Sequence, residues 1–352
     1  MGPLLQYPPG PPPNYASQAG LPEGRPTCFK TSLVLHQNPV PVKLNRMPAR
    51  LPASTPVRSP SQLMLSANQV EYVAVPRWAA VPWLWHGFST RRGGLTQAYC
   101  CPGAPGELNL GFTPEDNRDI VLWNRQRFAE AVSGDRTVPI ATLRQIHSGL
   151  HVIVDSTVSV VAPVCQGDGI MTDQVGILLG VQTADCVPVL VADRRRKVVA
   201  AFHAGWRGTV QRIVESGIHR MCLEFAAHPA DMTAAIGPAI GPCCYSVGKD
   251  VFTEFTECFD YAESLFSKVD TKETDSASAL TPGDPVHAPG EFALHLDLFE
   301  ANRRQLVDAG LPPESIVCVG GCTACQQQLF YSHRASRGRA GRMLSVIGIR
   351  PE

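Results

Sequence analysis

Cys186-Val-Pro-Val-Leu-Val-Ala-Asp193-Arg-Arg-Arg-Lys197-Val-Val-Ala-Ala-Phe-His203 decides the fold class. Two apolar runs, Cys186–Ala192 and Lys197–His203, flank the charged centre Asp193–Arg196, a pattern that predicts a β-hairpin. With the turn centred between Arg194 and Arg195, Cys186 sits directly opposite His203, Cβ atoms about 4.5–5.5 Å apart. A turn centred on Arg195 would instead put the two side chains on opposite faces. An antiparallel pair excludes an all-parallel sheet.

Outward from the hairpin, strand and helix signals alternate. Upstream, Leu143–Asp155 and Gly176–Thr183 read as strands. Downstream, Val210, Ile213, Val214, Ile218, Met221, Cys222 and Phe225 recur at helical spacing. Thr113-Pro114-Glu115-Asp116 reads as the capped start of a helix running to about Val132. Another helix fits Val251, Phe255, Phe259 and Ala262, and Asp297 with Glu300 caps one that ends at Gly310. Residues 268–290 are polar and rich in Pro and Gly, hence a surface excursion. Ile316–Gly320 and Met343–Ile349 read as closing strands. The fold class is α+β, a mixed α/β domain over residues 70–352.

Residues 1–64 differ. They hold 14 of the 31 prolines and a single acid, Glu23. Such a stretch buries too little apolar surface to offset its ordering entropy, so disorder is expected, with Met64 as an alternative start. In the whole chain 31 Lys and Arg balance 31 Asp and Glu, which argues against a general nucleic-acid or acidic-membrane binder. The longest apolar stretches, such as Val175–Val181, are too short to span a bilayer. No basic start precedes an apolar run, so a cytoplasmic protein is expected. Twelve cysteines in 352 residues are too few for a disulfide scaffold and read as thiols.

Three segments place reactive side chains beside glycine or at strand ends: Gln145–Ser148, Thr183–Pro188 and His203–Gly208. The hairpin pairing brings Cys186 and His203 together at a separation that suits one zinc ion, about 2.3 Å from sulfur and 2.0–2.1 Å from imidazole nitrogen. His147, on a neighbouring strand, would supply a third ligand and leave a fourth position open. Each residue also has a plainer reading, as a buried small thiol or a satisfied core histidine. Asp185 is the nearest carboxylate, a base or a turn cap. Arg91, Arg207 and Arg334 are candidates for an anion, since arginine forks and free N–H groups at a helix start both favour phosphate. Cys318-x3-Cys322-x2-Cys325 has the spacing of a radical-cluster motif, but too little chain follows it. Cys322/Cys325 and Cys243/Cys244 lack a matching pair at finger spacing and are read as buried thiols.

The runs Gln145–Ser148, Thr183–Pro188, His203–Gly208, Ile236–Tyr245 and Tyr331–Arg334 with Gly341-Arg342 together resemble the laccase-domain, polyphenol-oxidase-like (YfiH-type) family. The resemblance covers about residues 70–350. It implies a layered sandwich of helices around mixed central β-sheets, and a metal site of His147, Cys186 and His203. It also implies a zinc-dependent purine nucleoside phosphorylase with adenosine deaminase activity. The partners would then be purine nucleosides (adenosine, inosine, guanosine, methylthioadenosine) and inorganic phosphate, with a monomer or homodimer as the assembly. The ten histidines include no His-x-His pair, so a multicopper cluster cannot be assembled, although one copper would suit the same donors as one zinc. Two further readings stand beside this one: a metal-free hydrolase or amidase with Cys186 as nucleophile and His203 as base, and an editing factor for peptidoglycan precursors.

Overall fold

The computed structural model describes residues 62–101, 103–155, 165–270 and 292–352. In chain order the strands and helices begin with β1 (Gln62–Leu65), β2 (Glu71–Ala74), β3 (Leu84–Ser89), β4 (Arg92–Thr96), α1 (Arg118–Ser133), β5 (Ile140–Thr142) and β6 (His151–Ile153). Next come β7 (Gly169–Thr172), β8 (Leu178–Thr183), β9 (Val187–Asp193), β10 (Val198–Ala204), α2 (Trp206–Val210), α3 (Ile213–Phe225) and β11 (Met232–Ile236). The chain closes with β12 (Ser246–Val247), α4 (Lys249–Cys258), β13 (Phe266–Asp270), β14 (Phe292–Leu296), α5 (Leu298–Asp308), β15 (Ile316–Cys318) and β16 (Met343–Ile349).

Two six-stranded sheets form the centre, ordered β1-β2-β3-β16-β8-β5 and β15-β11-β9-β10-β7-β6, and a third, small sheet is ordered β12-β14-β13. Both large sheets are mixed, with parallel pairs β5–β8, β6–β7 and β11–β15. Along β9 and β10 the side chains alternate between two cores. Leu190, Ala192, Val199 and Ala201 meet Leu179, Val181 and Ile347 of the other sheet. Val189, Val191, Ala200 and Phe202 pack instead on Ile213, Val214, Ile218 and Met221 of α3 and Leu306 of α5. On the far side of the first sheet, Leu178, Leu344 and Val346 pack on Phe128 and Ala129 of α1. Helix, sheet, sheet, helix is therefore the layer order. Burial on both faces explains why β9 and β10 read as continuous apolar runs rather than alternating ones.

The hairpin forms with a different register from the expected one. Asp193 pairs with Val198 and His203 with Pro188, two residues from the predicted alignment of Cys186 with His203. The Asp193 side chain sets the shift. Its Oδ1 accepts from the backbone N–H of Arg195 and Arg196, both at 2.8 Å, and its Oδ2 from that of His228 at 3.0 Å. Arg194–Lys197 are thereby drawn into the turn, with Lys197 left-handed at φ 53°. Because the strand period is two, a shift of two leaves Cys186 on the His203 face.

Other expectations are corrected. Leu143–Asp155 is not one strand: β5 ends at Thr142, β6 begins at His151, and His147 sits on the turn between them. The Val210–Phe225 helix is two pieces, broken where Arg212 takes φ 57° and sends its guanidinium to the Cys258 carbonyl and to Glu215. Asn117, not Thr113, caps α1, accepting from the Asp119 N–H. Asp116 is occupied elsewhere, accepting from Thr96 Oγ1 and Asn109 Nδ2. The last strand, Met343–Ile349, forms with the expected bounds as β16 and lies between β3 and β8 in its sheet. Of the proline-rich 1–64 stretch, only Gln62–Met64 are described, and they belong to β1, paired antiparallel with β2. Of 268–290, the first residues finish β13 and the rest lies outside the described residues. Among the described residues, no helix is long and apolar enough to cross a membrane.

Asp193 is fully buried, so removing its carboxylate strands three N–H groups at the hairpin. Asp193→Ala should lower unfolding stability by about 2 kcal/mol, read from urea denaturation. Asp193→Asn, which keeps one acceptor oxygen, should lose less. Equal stability of all three proteins would show that the turn holds its register without that carboxylate.

Candidate metal centre

Three separate stretches deliver His147, Cys186 and His203. Cys186 immediately precedes β9, His203 lies near the end of β10, and His147 tops the turn between β5 and β6. One ligand atom from each lies within 4.8 Å of the others. Cys186 Sγ is 3.9 Å from His147 Nε2, and the two imidazoles meet edge to face with centroids 4.9 Å apart. Gly205 makes room for this approach: a Cβ there would lie 3.0 Å from Cys186 Sγ and 3.1 Å from His147 Cδ2. His203 is buried, Cys186 half-buried and His147 exposed, so the group is reached from one side.

Asp168, which sequence reasoning missed, holds this arrangement together. Its side chain is fully buried. Oδ1 accepts from His203 Nδ1 at 2.8 Å and from the His147 backbone N–H at 3.0 Å. Oδ2 accepts from the N–H groups of Ile146 and Ser148 and from Ser148 Oγ, at 3.2, 2.6 and 2.7 Å. The turn wraps the carboxylate so tightly that His147 adopts φ 58°, a conformation that costs a non-glycine residue of order 1 kcal/mol and is typical of functional sites. Burial alone would raise the Asp168 carboxyl, but the bonds from His203 and Ser148 outweigh it and hold it near 2. An ionised Asp168 can only accept, so His203 carries its proton on Nδ1 and turns Nε2 toward Cys186. The only signal in the sequence was an acid between two glycines, Gly167 and Gly169, just before a strand.

Burial opposes the charged forms of both Cys186 and His203, and their mutual attraction overcomes it. Cys186 falls to about 6, with both histidines contributing, and His203 rises to about 9 with help from Asp168. Without a metal the pair is thus thiolate and imidazolium, and a cation would take the place of the proton on Nε2. One thiolate and two imidazoles are donors that suit zinc or copper. Around zinc, such ligand atoms stand roughly 3.5 Å apart, so the observed spacing needs only a small contraction. An imidazole whose second nitrogen donates to a carboxylate is the usual outer support of a zinc-bound histidine. The residues present fit a metal.

Asp185 is placed differently from a free base. Its Oδ1 accepts from Thr323 Oγ1 and its Oδ2 from the Arg334 backbone N–H, both at 2.6 Å. Both oxygens are engaged, and the carboxylate positions the 323–334 segment beside Cys186. Tyr245, to which sequence reasoning gave no role, is half-buried and interacts electrostatically with Cys186. Burial raises its phenol well above the ordinary value, and the charges of Cys186, Arg334, Asp185 and Arg207 all act on it. The Arg334 guanidinium lies 5.4 Å above the Tyr245 ring and donates to the Ser246 carbonyl at 3.1 Å, and the Arg207 guanidinium lies 4.3 Å over the Trp206 ring. Arg91 is not part of this group. It is paired with Glu107 at 2.7 Å, donates to the Gln327 carbonyl and lies over the Tyr331 ring. These contacts occupy the guanidinium that the sequence offered to phosphate.

The family model described as multi-copper polyphenol oxidoreductase laccase matches residues 85–350. A purine nucleoside phosphorylase, YlmD of Geobacillus stearothermophilus, is 35% identical over 279 residues, which span 76% of this chain and 90% of that one. Adenosine deaminase RL5, from an unknown prokaryotic organism, is 34% identical over 180 residues, 51% of this chain and 61% of the relative. The crystal structure of the hypothetical protein YfiH of Bacillus licheniformis superposes with a TM-score of 0.67 at 28% identity, covering 82% of this chain and 99% of that one.

The thiolate–imidazolium pair has a direct readout. In chelator-treated protein, alkylation of Cys186 followed by peptide mass mapping should rise with a midpoint near pH 6, because the reactive thiolate appears as pH increases through that value. Asp168→Asn withdraws a charge that supports the imidazolium. The midpoint should then move up toward the ordinary thiol range, and metal affinity should weaken about 10–100-fold. A wild-type midpoint in the ordinary range would show that the pair is not ionised.

Proposed function

This chain belongs to the multi-copper polyphenol oxidoreductase laccase family, and on that premise we propose that it is a cytoplasmic, zinc-dependent purine nucleoside phosphorylase that also deaminates adenosine. The single observation that carries the reading is the gathering of His147, Cys186 and His203 around one point, supported beneath by Asp168. The redox activity in the family's description needs several coppers. Ten histidines without a His-x-His pair support a one-metal site instead, and zinc has no redox chemistry. The names of the relatives support the substrate class, purine nucleosides with inorganic phosphate.

When bound, the metal supplies Lewis acidity and activation of water for attack at adenine C6. The protein's own groups account for the rest. Asp168 fixes the tautomer of His203 and the turn that carries His147, so both imidazoles present Nε2 without reorganisation. In phosphorolysis a phosphate oxygen bonds to ribose C1′, the C1′–N9 bond breaks, and its electron pair leaves on the base. Arg207 is exposed in the first turn of α2 and Arg334 lies over Tyr245. Their guanidinium forks hold the phosphate, as fixed charges in a partly dry site do well. Tyr245 keeps its proton and donates a hydrogen bond to substrate. Asp185 acts through Arg334 as a positioning residue.

One observation favours a second reading. Asp168, His203 and Cys186 also form the relay of a cysteine hydrolase, with the acid orienting an imidazole beside a thiolate. Metal content separates the two, because a bound zinc occupies the thiolate.

The test is adenosine incubated with and without phosphate, products resolved by chromatography. Phosphate should yield adenine and ribose 1-phosphate, and its absence inosine. Cys186→Ala should lose this metal and turnover together. Arg207→Gln should keep the metal and raise the KM for phosphate about tenfold or more, the weight of one charge-assisted bond. Full turnover in metal-free protein would refute the zinc mechanism.

A further inference from the structure

Outside the His147–Cys186–His203 group, four more sulfurs converge. Cys243 and Cys244 follow β11, Cys322 and Cys325 follow β15, and all four Sγ atoms lie within 4.8 Å of one another. Cys325 Sγ is 3.5 Å from that of Cys243 and 3.3 Å from that of Cys244. The sequence offered each pair no partner at finger spacing. The structure makes each pair the other's partner, through the parallel bridge of Ala239 with Cys322 and the bond from the Thr323 N–H to the Ala239 carbonyl at 3.0 Å. These are also not simply buried thiols: Cys243 and Cys325 are exposed, Cys244 half-buried and only Cys322 buried.

We propose that Cys243, Cys244, Cys322 and Cys325 form a second metal site, a structural tetrathiolate that takes one zinc ion. Four sulfurs at about 2.3 Å from a tetrahedral zinc stand about 3.8 Å apart; the two separations from Cys325 fall slightly short of that value, and all four sulfurs lie within 4.8 Å of one another. A disulfide needs about 2.05 Å, and Cys325 Sγ is shared almost evenly between two neighbours rather than committed to one. The outer support is also present. Cys322 Sγ accepts from the Gly241 N–H at 3.2 Å and from the Cys325 backbone N–H, the arrangement that stabilises thiolate ligands at a Cys-x-x-Cys turn. Gly241 permits that approach, since a Cβ there would lie 3.3 Å from both Cys243 Sγ and Cys322 Cβ. Two exposed sulfurs give the ion an entry path. Binding releases the thiol protons and joins the turn before Tyr245 to the turn that carries Thr323, so the ion holds two walls of the neighbouring centre. Soft thiolates alone select zinc over oxygen-preferring cations.

Metal content of protein purified with zinc and exhaustively dialysed tests this independently of the nucleoside reading. Wild type should hold about two zinc ions per chain. Cys186→Ala should keep about one, and its thermal midpoint should fall on treatment with a strong chelator. Cys322→Ser/Cys325→Ser should lose that second ion while the His147–Cys186–His203 site still binds. Cys186→Ala protein without metal would overturn the proposal, even if the double variant fails to fold. An intact mass two units low, from a disulfide among the four, would overturn it as well.

Discussion

One buried carboxylate carries the site. Asp168 receives five hydrogen bonds from side chains and backbone of His203, Ile146, His147 and Ser148, and its backbone carbonyl accepts the His203 N–H as well. A buried anion is tolerable only when its lone pairs are satisfied this completely. The same bonds fix the positions of two histidines that are 56 residues apart in sequence. The cost of dehydrating Asp168 is thus offset by contacts that also fix how His147 and His203 face Cys186, which ties folding of this region to the shape of the group.

The scaffold explains why that geometry is stiff. Strands β9 and β10 are buried on both faces, between the other sheet and helices α3 and α5, so neither strand can slide without exposing one of two cores. Cys186 and His203 stand at the same end of this pair. A close-packed interior transmits such constraint, and a thiol and an imidazole placed there are held near their contact distance without any ligand. His147 and Asp185, the two residues beside them with positive φ, carry strain that the surrounding packing and hydrogen bonds sustain.

Much of this was legible in the chain. Apolar runs around Asp193–Arg196 implied the hairpin, the periodicity from Val210 implied a helix, and the three motif segments singled out His147, Cys186 and His203, which the fold brings together. What stayed hidden depends on side chains satisfying distant backbone. The hairpin register follows from the three N–H groups captured by Asp193, and the α1 start from Asp116 being drawn to Thr96 and Asn109. The engagement of Arg91 follows from Glu107 and Tyr331, which no local pattern connects to it. Asp168 and Tyr245 escaped notice for the same reason: each acts through partners that only the fold brings near. The two cysteine pairs were each incomplete in sequence because their complement arrives by an isolated parallel bridge between the segments that follow β11 and β15.

The two sulfur-bearing centres are not independent features of the fold. Asp185 precedes Cys186, and Thr323 follows Cys322. The Thr323 hydroxyl donates to the Asp185 carboxylate at 2.6 Å, and the other carboxylate oxygen receives the Arg334 N–H. Each partner in that bond is therefore covalently adjacent to a cysteine of a different cluster. Both oxygens of Asp185 lie in a largely water-free setting where hydrogen bonds to an anion are strong. Displacing the 322–325 turn would pull on the backbone that aims Cys186, and would release the segment bearing Arg334. The side chain that sequence reasoning offered as a base or a turn cap thus ties the turn before Cys186 to the segment that follows Cys322.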